Sequence, residues 1–284
     1  MVVGAGARGG VRARAGARTG RVRLDQRVVA LGLAPSRHQA EAAIRAGEVY
    51  VNGERRDKPG VLVAAEARVE RRTRSPAYVS RGGAKLAGAL DAFGVDPRGL
   101  VALDVGASTG GFTDCLLQRG ARRVYAVDVG RGQLHWRLRA DPRVVVMEGR
   151  HAARLRPADL PEVADLATID CSFISATRVL APVAACVRSG GLLLVLVKPQ
   201  FESGPKAAPR GVVRDPAVHE RAVRRVADAA RTLGLAVEGV TASPLLGPGG
   251  NREFFVALRK DGVGSADDLD ERIRRAVWPE GVAP

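Results

Sequence analysis

The chain of 284 residues carries 45 Lys and Arg side chains against 30 Asp and Glu, a formal net charge of +15. This length allows one catalytic domain with its own core and one small additional domain. The charge favours a partner with many phosphates, such as a nucleic acid, and a solvated, arginine-rich surface that follows from biased composition is the alternative. The longest aliphatic run, Leu192 to Val197, is too short to span a bilayer, so we expect a protein outside the membrane.

The first 20 residues are rich in Gly and Arg and lack a continuous apolar stretch. We therefore predict a disordered basic tail over residues 1–20 and no secretory signal peptide. The three cysteines, an odd number set in apolar segments, argue against a disulfide framework and indicate a reducing cytoplasm. The four histidines are scattered, without paired spacing or neighbouring cysteines, so we expect no metal site.

Residues 21–74 are predicted to form a small α+β domain. Two helical patterns come first, the second with Ser36 as its cap and Gly47 at its end. A short strand of alternating polar and apolar residues then meets the turn dipeptide Asn52-Gly53, which is typical of a hairpin. The predicted order is helix, helix, hairpin.

This segment resembles the S4 RNA-binding domain, and the resemblance rests on the stretch RLDQRVVALGLAPSRHQAEAAIRAGEVYVNGERRDKPG. It implies a surface that grips structured RNA by its phosphates and shape, contacts that position a protein without reading base sequence. The candidate RNA-binding residues are Arg23, Arg27, Ser36, Arg37 and Gln39, with Arg81 further along the chain. For each arginine alone, ordinary solvation is the alternative.

After a polar linker at residues 75–80, short apolar strands alternate with helices from residue 81 to 262. Such alternation indicates an α/β fold, with a mainly parallel seven-stranded sheet and helices on both faces. The predicted strands are Leu100–Val105, Val124–Val129, Val144–Met147, Leu166–Ile169, Leu192–Val197, Val237–Val240 and Phe254–Leu258. A helix is predicted from Asp215-Pro216 to Gly234, and residues 263–284 are predicted to form a charged surface helix and tail.

The first of these strands runs into a glycine-rich turn and then a helix, with the sequence VALDVGASTGGFT. Such turns expose backbone N–H groups and let a ligand approach closely. A dinucleotide fingerprint would need glycine where Ser108 stands, and a phosphate-binding P-loop would need lysine where Phe112 stands, so both phosphate-binding classes are excluded. The remaining pattern, Asp104-x-Gly106-x-x-x-Gly110-Gly111, resembles the S-adenosylmethionine turn of Rossmann-like methyltransferases.

That resemblance implies a cofactor site around the turn. Asp128 ends the next strand, where an acidic side chain in this topology accepts hydrogen bonds from two ribose hydroxyls. The alternative for Asp128 is an aspartate that only terminates its strand. The cofactor-binding candidates are Asp104, Gly106, Ser108, Thr109, Gly110, Gly111, Phe112, Asp128 and Val129.

Two polar residues follow buried strands directly. Asp170 comes after one predicted strand and Lys198 after another, at the carboxyl ends where open α/β sheets bind their ligands. Lysines are rare among the basic residues of this chain, and a lysine changes its protonation on burial more readily than an arginine. The sequence therefore predicts an acid and an amine at the cofactor edge. A snorkelling lysine and a turn aspartate are the alternatives.

Four motifs together resemble the TlyA family, whose catalytic domain is FtsJ-like. They are YVSRGGAKL, IDCSFIS, VKPQFE and GNREFF, and the resemblance covers nearly the whole chain after residue 20. It implies a class I methyltransferase that uses S-adenosylmethionine, with the catalytic tetrad Lys85, Asp170, Lys198 and Glu253. It also implies the substrate, cytidine 2′-hydroxyls in 16S and 23S ribosomal RNA, and ribosomal subunits as partners. His151 stands in a stretch that departs from the family pattern, which weakens a cofactor role for it.

The resemblance suggests a mechanism for methylating a ribose hydroxyl, which is poorly acidic and needs help to react. We hypothesise that Lys198, kept neutral by burial and by the neighbouring cation Lys85, takes the hydroxyl proton. Asp170 and Glu253 would orient the two amines. If the carboxylates dominate, Lys198 stays charged and stabilises a developing alkoxide instead.

Other functions compete with this one. A non-catalytic RNA-binding assembly factor with a degenerate fold is disfavoured because the glycine turn and the tetrad are intact. A haemolysin, a label that the family has carried, is disfavoured because no apolar segment reaches membrane length. A base methyltransferase would typically use a cysteine nucleophile or an N-P-P-type motif, whereas we interpret Cys171 as a buried small hydrophobe.

Overall fold

The structure, a computed structural model, describes residues 20–72, 77–204, 208, 211–262 and 268–278. The chain divides into two compact units, residues 1–75 and 76–284. The tail predicted over residues 1–20 lies outside the described residues apart from Gly20, as do parts of the predicted linker and of the C-terminal segment.

Over residues 20–72, its described part, the first unit forms two helices and two small antiparallel sheets. Its elements are β1 (Arg21–Arg23), α1 (Leu24–Ala30), α2 (Arg37–Arg45), β2 (Val49–Val51), β3 (Glu54–Arg56), β4 (Leu62–Ala64) and β5 (Val69–Arg71). One sheet has the order β3-β2-β5, and in the other β1 pairs with β4. Asn52 and Gly53 have φ angles of 51° and 86°, as a tight hairpin turn requires. The predicted order helix, helix, hairpin is confirmed, and β1, β4 and β5 are additional.

Apolar residues spaced four apart give each helix of this unit one buried face. Leu24 and Val28 are fully buried on α1, and Ala40 and Ile44 are fully buried on α2. These side chains belong to one core cluster with residues of β2 and β4. The small unit therefore has a hydrophobic core of its own.

The second unit contains a seven-stranded sheet covered by helices. Its elements are α3 (Arg81–Phe93), β6 (Val101–Val105), α4 (Gly111–Gln118), β7 (Arg123–Asp128), α5 (Trp136–Arg139), β8 (Val144–Glu148), β9 (Ala164–Ile169), α6 (Thr177–Ala185), β10 (Val187–Val197), α7 (Pro199–Glu202), α8 (Pro216–Thr232), β11 (Leu235–Ala242), β12 (Phe254–Lys260) and α9 (Leu269–Val277). Short 3₁₀ turns lie at Ala152–Arg154, Pro157–Asp159 and Pro248–Gly250.

The strand order of this sheet is β11-β12-β10-β9-β6-β7-β8. β12 is antiparallel to both of its neighbours, and the pairs among β10, β9, β6, β7 and β8 are parallel. The chain starts at β6 in the middle, continues to β7 and β8 on one side, and then crosses to β9 and β10 on the other. Such a reversal of direction leaves a crevice at the carboxyl ends of β6 and β9, where α/β sheets bind ligands.

The sheet is buried on both faces, which explains the nearly continuous apolar runs that predicted its strands. Along β6, Leu103 packs in one core cluster with residues of α6 and α8. Its neighbour Ala102 packs in the other cluster with residues of α3 and α4. The predicted α/β class and the mainly parallel seven-stranded sheet are confirmed.

Some predicted boundaries were wrong. β10 begins at Val187 rather than Leu192, and its register with β9 shifts between these two residues. Gly190 lies inside this strand with a φ of 70°, and glycine is a residue that normally indicates a break in a strand. At the other end of the sheet β7 stops at Asp128, so Val129, which was predicted to end that strand, is exposed.

Candidate active site

The sheet topology brings the four predicted catalytic residues to one edge. Asp170 follows β9 and Lys198 follows β10, at the carboxyl ends of parallel strands. β12 returns antiparallel to β10, with Phe254 paired to Val197, so the residue before β12, Glu253, reaches the same edge. Lys85 comes from the second turn of α3. All four side chains line one cavity of about 1030 Å³.

The four side chains form two ion pairs. The Nζ atom of Lys198 lies 2.5 Å from Oδ1 of Asp170, and it also donates a hydrogen bond to Oγ of Ser172 at 2.9 Å. The Nζ atom of Lys85 donates to Oε2 of Glu253. Both amines are largely buried, with 7% of Lys85 and 8% of Lys198 exposed. Each amine is therefore paired with one carboxylate, and both pairs line the same cavity.

Glu253 has one oxygen free for a further partner. Its Oε1 atom is buried and accepts no hydrogen bond, whereas Oε2 is held by Lys85. A Cβ atom at Gly247 would lie 2.0 Å from Oε1, so any larger residue at 247 would displace this carboxylate. A buried acceptor without a donor is rare in folded proteins and is a natural contact point for a ligand.

The glycine turn forms the floor of the crevice. Gly106 has a φ of 86°, and a Cβ atom there would lie 2.6 Å from the carbonyl oxygen of Asp170, so only glycine lets β6 and β9 approach this closely. Ser108, Thr109, Gly111 and Phe112 follow, and all of them line the cavity together with Gly106. The turn therefore presents most of its predicted residues to the site.

Two predicted cofactor residues have a different place. Asp104 is fully buried and accepts hydrogen bonds from Oγ1 of Thr113, at 2.6 Å, and Oγ1 of Thr168, at 2.9 Å. Burial raises the pKa of Asp104 to about 6. A Cβ atom at Gly110 would lie 2.2 Å from Cδ1 of Leu138, so this glycine packs against the protein. Neither residue lines the cavity, and both instead fix the shape of the turn.

Asp128 organises the adjoining lobe of the crevice. Its carboxylate accepts hydrogen bonds from the backbone N–H of Ser108, at 2.8 Å, and of Gly130, at 2.7 Å. It lines a cavity of about 480 Å³ together with Val129 and His151, and this cavity shares Gly106, Ser108, Asp170, Ser172 and Phe173 with the larger one. Each carboxylate oxygen has a second lone pair, so Asp128 keeps acceptor capacity for a ligand.

Phe173 is a residue of the site that the sequence analysis missed. It is 91% exposed and has a φ of 64°, a strained conformation for a bulky residue. Its ring centroid lies 5.2 Å from that of Phe201, and both residues line the catalytic cavity. The aromatic residue within IDCSFIS was the available signal, because an exposed phenylalanine beside a polar site is a typical stacking surface for a base.

The cysteine next to the site is not activated. Burial raises the pKa of Cys171 to about 12, and burial likewise raises the pKa values of Cys115 and Cys186 to about 11. A thiol with such a pKa is protonated at neutral pH and is a poor nucleophile. This chemistry disfavours a base methyltransferase that works through a cysteine.

A buried carboxylate holds two of the predicted RNA-binding arginines. Asp25 on α1 is fully buried, and its oxygens lie 2.9 Å from Arg23 and 3.0 Å from Arg37. Hydrogen bonding from Arg23 lowers the pKa of Asp25. The two arginine side chains remain 41% and 56% exposed, so Asp25 fixes their positions while leaving them accessible.

The other predicted RNA-binding residues differ in their roles. Ser36 caps α2, because its Oγ accepts a hydrogen bond from the backbone N–H of Gln39 at 3.3 Å. The Nε atom of Arg27 is buried without a partner. In the second unit, Arg81 lines the catalytic cavity and donates to the carbonyl oxygen of Leu246 at 2.7 Å. Arg81 is therefore the RNA candidate that lies beside the tetrad.

Comparison with known proteins identifies both parts of the chain. The FtsJ-like methyltransferase family matches residues 78–260, and the S4 domain matches residues 22–69. TlyA of Mycobacterium tuberculosis, named a 16S/23S rRNA (cytidine-2'-O)-methyltransferase, is 46% identical over 261 residues, which cover 90% of this chain and 97% of that protein. The chain belongs to the TlyA family of FtsJ-like methyltransferases.

Two proteins that carry hemolysin names are also similar over most of this chain. Hemolysin A of Brachyspira hyodysenteriae is 35% identical and covers 82% of this chain and 98% of its own length. The solved structure of a hemolysin-labelled protein of Streptococcus thermophilus has a TM-score of 0.70 and 39% identity, and covers 91% of this chain and 96% of the other. The resemblance to the TlyA family and to the S4 domain is thus confirmed.

The structure of the described residues bears on two possibilities, a membrane protein and a metal protein. Over the residues that the structure describes, no helix has the length and apolar character needed to cross a membrane. Within the same ranges no group of three or more His, Cys, Asp or Glu side chains could hold a metal ion. The ionisable groups that this part of the chain gathers in its main cavity are the tetrad and Arg81.

Proposed function

We propose that this protein transfers a methyl group from S-adenosylmethionine to the ribose 2′-hydroxyl of a cytidine in ribosomal RNA. The observation that carries this proposal is the pair of amine–carboxylate contacts, Lys198 with Asp170 and Lys85 with Glu253, in one buried cavity beside the glycine turn. The M. tuberculosis relative, named for both 16S and 23S rRNA, supports the substrate class. We further propose that the reaction takes place in the cytoplasm.

The two connected lobes of the crevice support this cofactor. Their volumes of about 1030 and 480 Å³ lie in the range of small-molecule sites, and Gly106, Ser108 and Asp170 line both. The smaller lobe offers the Asp128 carboxylate for ribose hydroxyls. When bound, S-adenosylmethionine supplies a reactive methyl group on a positively charged sulfur.

Lys198 is the residue that we propose to act on the ribose hydroxyl. Lys198 forms an ion pair with an Asp170 oxygen at 2.5 Å and donates a hydrogen bond to the Ser172 hydroxyl at 2.9 Å. An ammonium cannot accept the hydroxyl proton, but it stabilises negative charge that develops on the 2′-oxygen. Of the two roles that the sequence left open, the ion pair therefore supports electrostatic stabilisation. Asp170 holds Lys198 in place and is the neighbouring acceptor for the proton.

The two roles of Lys198 predict different dependences of the rate on pH. A neutral amine acting as a base requires the rate of methyl transfer to rise as the amine loses its proton. A charged amine acting as a stabiliser requires the rate to fall when the amine loses its proton. Single-turnover rates measured as a function of pH separate these, and the electrostatic role requires the fall at high pH.

Phe173 is proposed to hold the base of the target nucleotide. Its ring is 91% exposed at the border of the lobes that contain Asp128 and Lys198. Stacking of a base on an aromatic ring contributes about 1–3 kcal/mol and tolerates any sequence, so it can keep an unstacked nucleotide in the site. The strained backbone of Phe173 fits this role, because strain of this kind is concentrated at functional sites.

The first unit is proposed to deliver the RNA. It matches the S4 domain over residues 22–69 and exposes the arginines that Asp25 fixes. A chain without residues 1–75 should lose methylation of ribosomal subunits and still bind S-adenosylmethionine, which also shows that the remainder is folded. Full methylation by the truncated chain would remove the targeting role.

The test of the proposed function is a labelled methylation reaction. Purified protein is incubated with methyl-labelled S-adenosylmethionine and ribosomal subunits from cells that lack the modification, and the digested nucleosides are analysed by mass spectrometry. We expect the label in 2′-O-methylcytidine. Label in a base, or no label with a well-folded protein, would overturn the proposal. A parallel erythrocyte lysis assay tests for haemolysis, the activity that the name of the Brachyspira relative indicates.

A further inference from the structure

A further cavity of about 630 Å³, shallower than the two lobes described above, lies beside the catalytic cavity of about 1030 Å³. The two cavities share Phe173, Gln200 and Phe201, so the neighbouring, mutually tilted aromatic rings form a common wall. This shallower cavity is also lined by two arginines, Arg178 of α6 and Arg225 of α8. We refer to the space between these two arginines and the aromatic wall as the Arg178–Arg225 subsite.

In the part of the chain that the structure describes, neither of these two arginines forms an ion pair with a carboxylate side chain. Many arginines of this chain form ion pairs, as Arg119 does with Asp91. Within the described residues, the Arg178 guanidinium has no hydrogen bond or ion pair, and the Arg225 guanidinium donates a single hydrogen bond, at 2.8 Å, to the backbone carbonyl oxygen of Glu202. Both side chains are exposed.

The carboxylate of Glu202, whose backbone carbonyl accepts the hydrogen bond from Arg225, is itself hydrogen-bonded to other residues. Glu202 is only 3% exposed, and its oxygens accept hydrogen bonds from Oγ of Ser175 at 2.5 Å and from the backbone N–H of Ala176 at 2.7 Å. Burial raises the pKa of Glu202, while Arg225 opposes this at longer range. No carboxylate side chain lines the subsite among the described residues, so its positive charge faces solvent.

We propose that the Arg178–Arg225 subsite binds a backbone phosphate of the RNA next to the methylated nucleotide. An arginine fork matches the geometry of a phosphate, and exposed cations beside aromatic rings are the combination that binds single-stranded nucleic acid. Phe173 belongs to both cavities, so a nucleotide stacked on it extends its backbone toward the two arginines. This inference rests on the proposed function, because it assumes that the target is RNA.

The first test removes the charges and measures the salt dependence of RNA binding. The variant is Arg178→Gln/Arg225→Gln, in which the amide at 225 can still donate to Glu202. The control, Arg98→Gln/Arg231→Gln, loses the same charge at two positions that do not line the subsite. At a fixed salt concentration we expect the Kd for ribosomal subunits to rise about tenfold for the variant only, with its log–log slope against salt lower by about 1.

The second test asks whether the contact is to a flanking phosphate. In an RNA stem-loop that contains the methylated cytidine, the phosphate on either side is replaced in turn by an uncharged methylphosphonate. At one of the two positions this change should weaken binding to the wild-type protein about tenfold and have no further effect on the double variant. Equal losses for both proteins at both positions would overturn the inference, as would an unchanged Kd and slope in the first test.

The tests separate this inference from the proposed function. Binding of S-adenosylmethionine and the thermal unfolding of the variant should match the wild type, since neither arginine lines the cofactor lobe. If the wild-type protein binds RNA but methylates no ribose, the proposed function fails while the subsite result still stands. If the wild type methylates ribose and the variant binds like the control, only the subsite is refuted.

Discussion

Removing one member of the Lys85–Glu253 ion pair should separate stability from catalysis. The Lys85 side chain is 9% exposed and that of Glu253 is 0% exposed. Lys85→Met keeps a similar length and apolar stem but removes the charge. It leaves a buried carboxylate in which Oε2 loses its donor and Oε1 already has none. A buried charge without a partner is one of the strongest destabilising features in a protein.

The expected loss in the free energy of unfolding is about 3–5 kcal/mol, the usual cost of breaking a buried ion pair from one side. The double variant Lys85→Met/Glu253→Gln removes both charges and should recover most of this loss, because no buried charge then remains. Methylation should stay low in both variants, since the amine is missing from the site in each case. Stability would therefore return without activity.

Tryptophan fluorescence during urea unfolding measures this effect in the relevant unit. The two tryptophans, Trp136 and Trp278, both lie in the second unit, so the signal reports the unfolding of that unit within the full chain. Single-turnover methylation on the same preparations gives the rate. A loss below about 1 kcal/mol for Lys85→Met would show that the pair contributes as a surface ion pair does, and would refute the reasoning from burial.

Three further predictions follow from individual residues. Because burial raises the pKa of Asp104 to about 6, the folded protein binds the proton of this carboxyl group more tightly than the unfolded chain does. This contribution to stability is present below about pH 4 and is lost as the pH rises through 6, so the free energy of unfolding of the wild type should fall by about 3 kcal/mol relative to that of Asp104→Asn over this range. Equal pH dependences of the two free energies of unfolding would contradict this prediction. Phe173→Ala should lower the affinity for RNA about 5- to 150-fold, whereas Phe173→Tyr, which keeps the ring, should bind RNA normally; equal binding of RNA by the Ala variant would exclude stacking. Glu202→Gln should reduce the single-turnover rate without weakening cofactor binding. The reason is that Glu202, at the end of α7 after Lys198, accepts hydrogen bonds from Ser175 and Ala176, which follow Asp170 along the chain. A normal rate would show that these hydrogen bonds do not position the tetrad.

The fold could be predicted where burial leaves a clear pattern. Strands such as β6 and β9 are covered on both faces, so they appear in the sequence as apolar runs. The three-residue strands β1, β4 and β5 are too short to give a periodic signal. The early start of β10 was missed because Gly190 interrupts its pattern. The order of strands across the sheet depends on contacts between distant segments, which a local pattern does not contain.

The sequence predicts which residues lie at the candidate site more fully than it predicts how they are paired and placed. Asp170 and Lys198 could be placed at one edge because parallel strands end together. The pairing of Lys85 with Glu253 depends on the antiparallel return of β12, which local sequence does not reveal. Asp104 was expected at the cofactor, but its hydrogen bonds lie beneath the turn. The positioning of two arginines by Asp25 was likewise invisible, because a buried aspartate and an exposed one have the same sequence.

The most direct test of the central claim is the single-turnover rate of methyl transfer by Lys198→Met. If Lys198 stabilises the charge that develops on the ribose oxygen, the rate should fall about 10²- to 10³-fold while the Kd values for S-adenosylmethionine and for ribosomal subunits stay near those of the wild type. The control Lys260→Met makes the same change at a lysine that binds the carbonyl oxygens of Ala184 and Val187, and it should methylate normally. A wild-type rate for Lys198→Met would contradict the account.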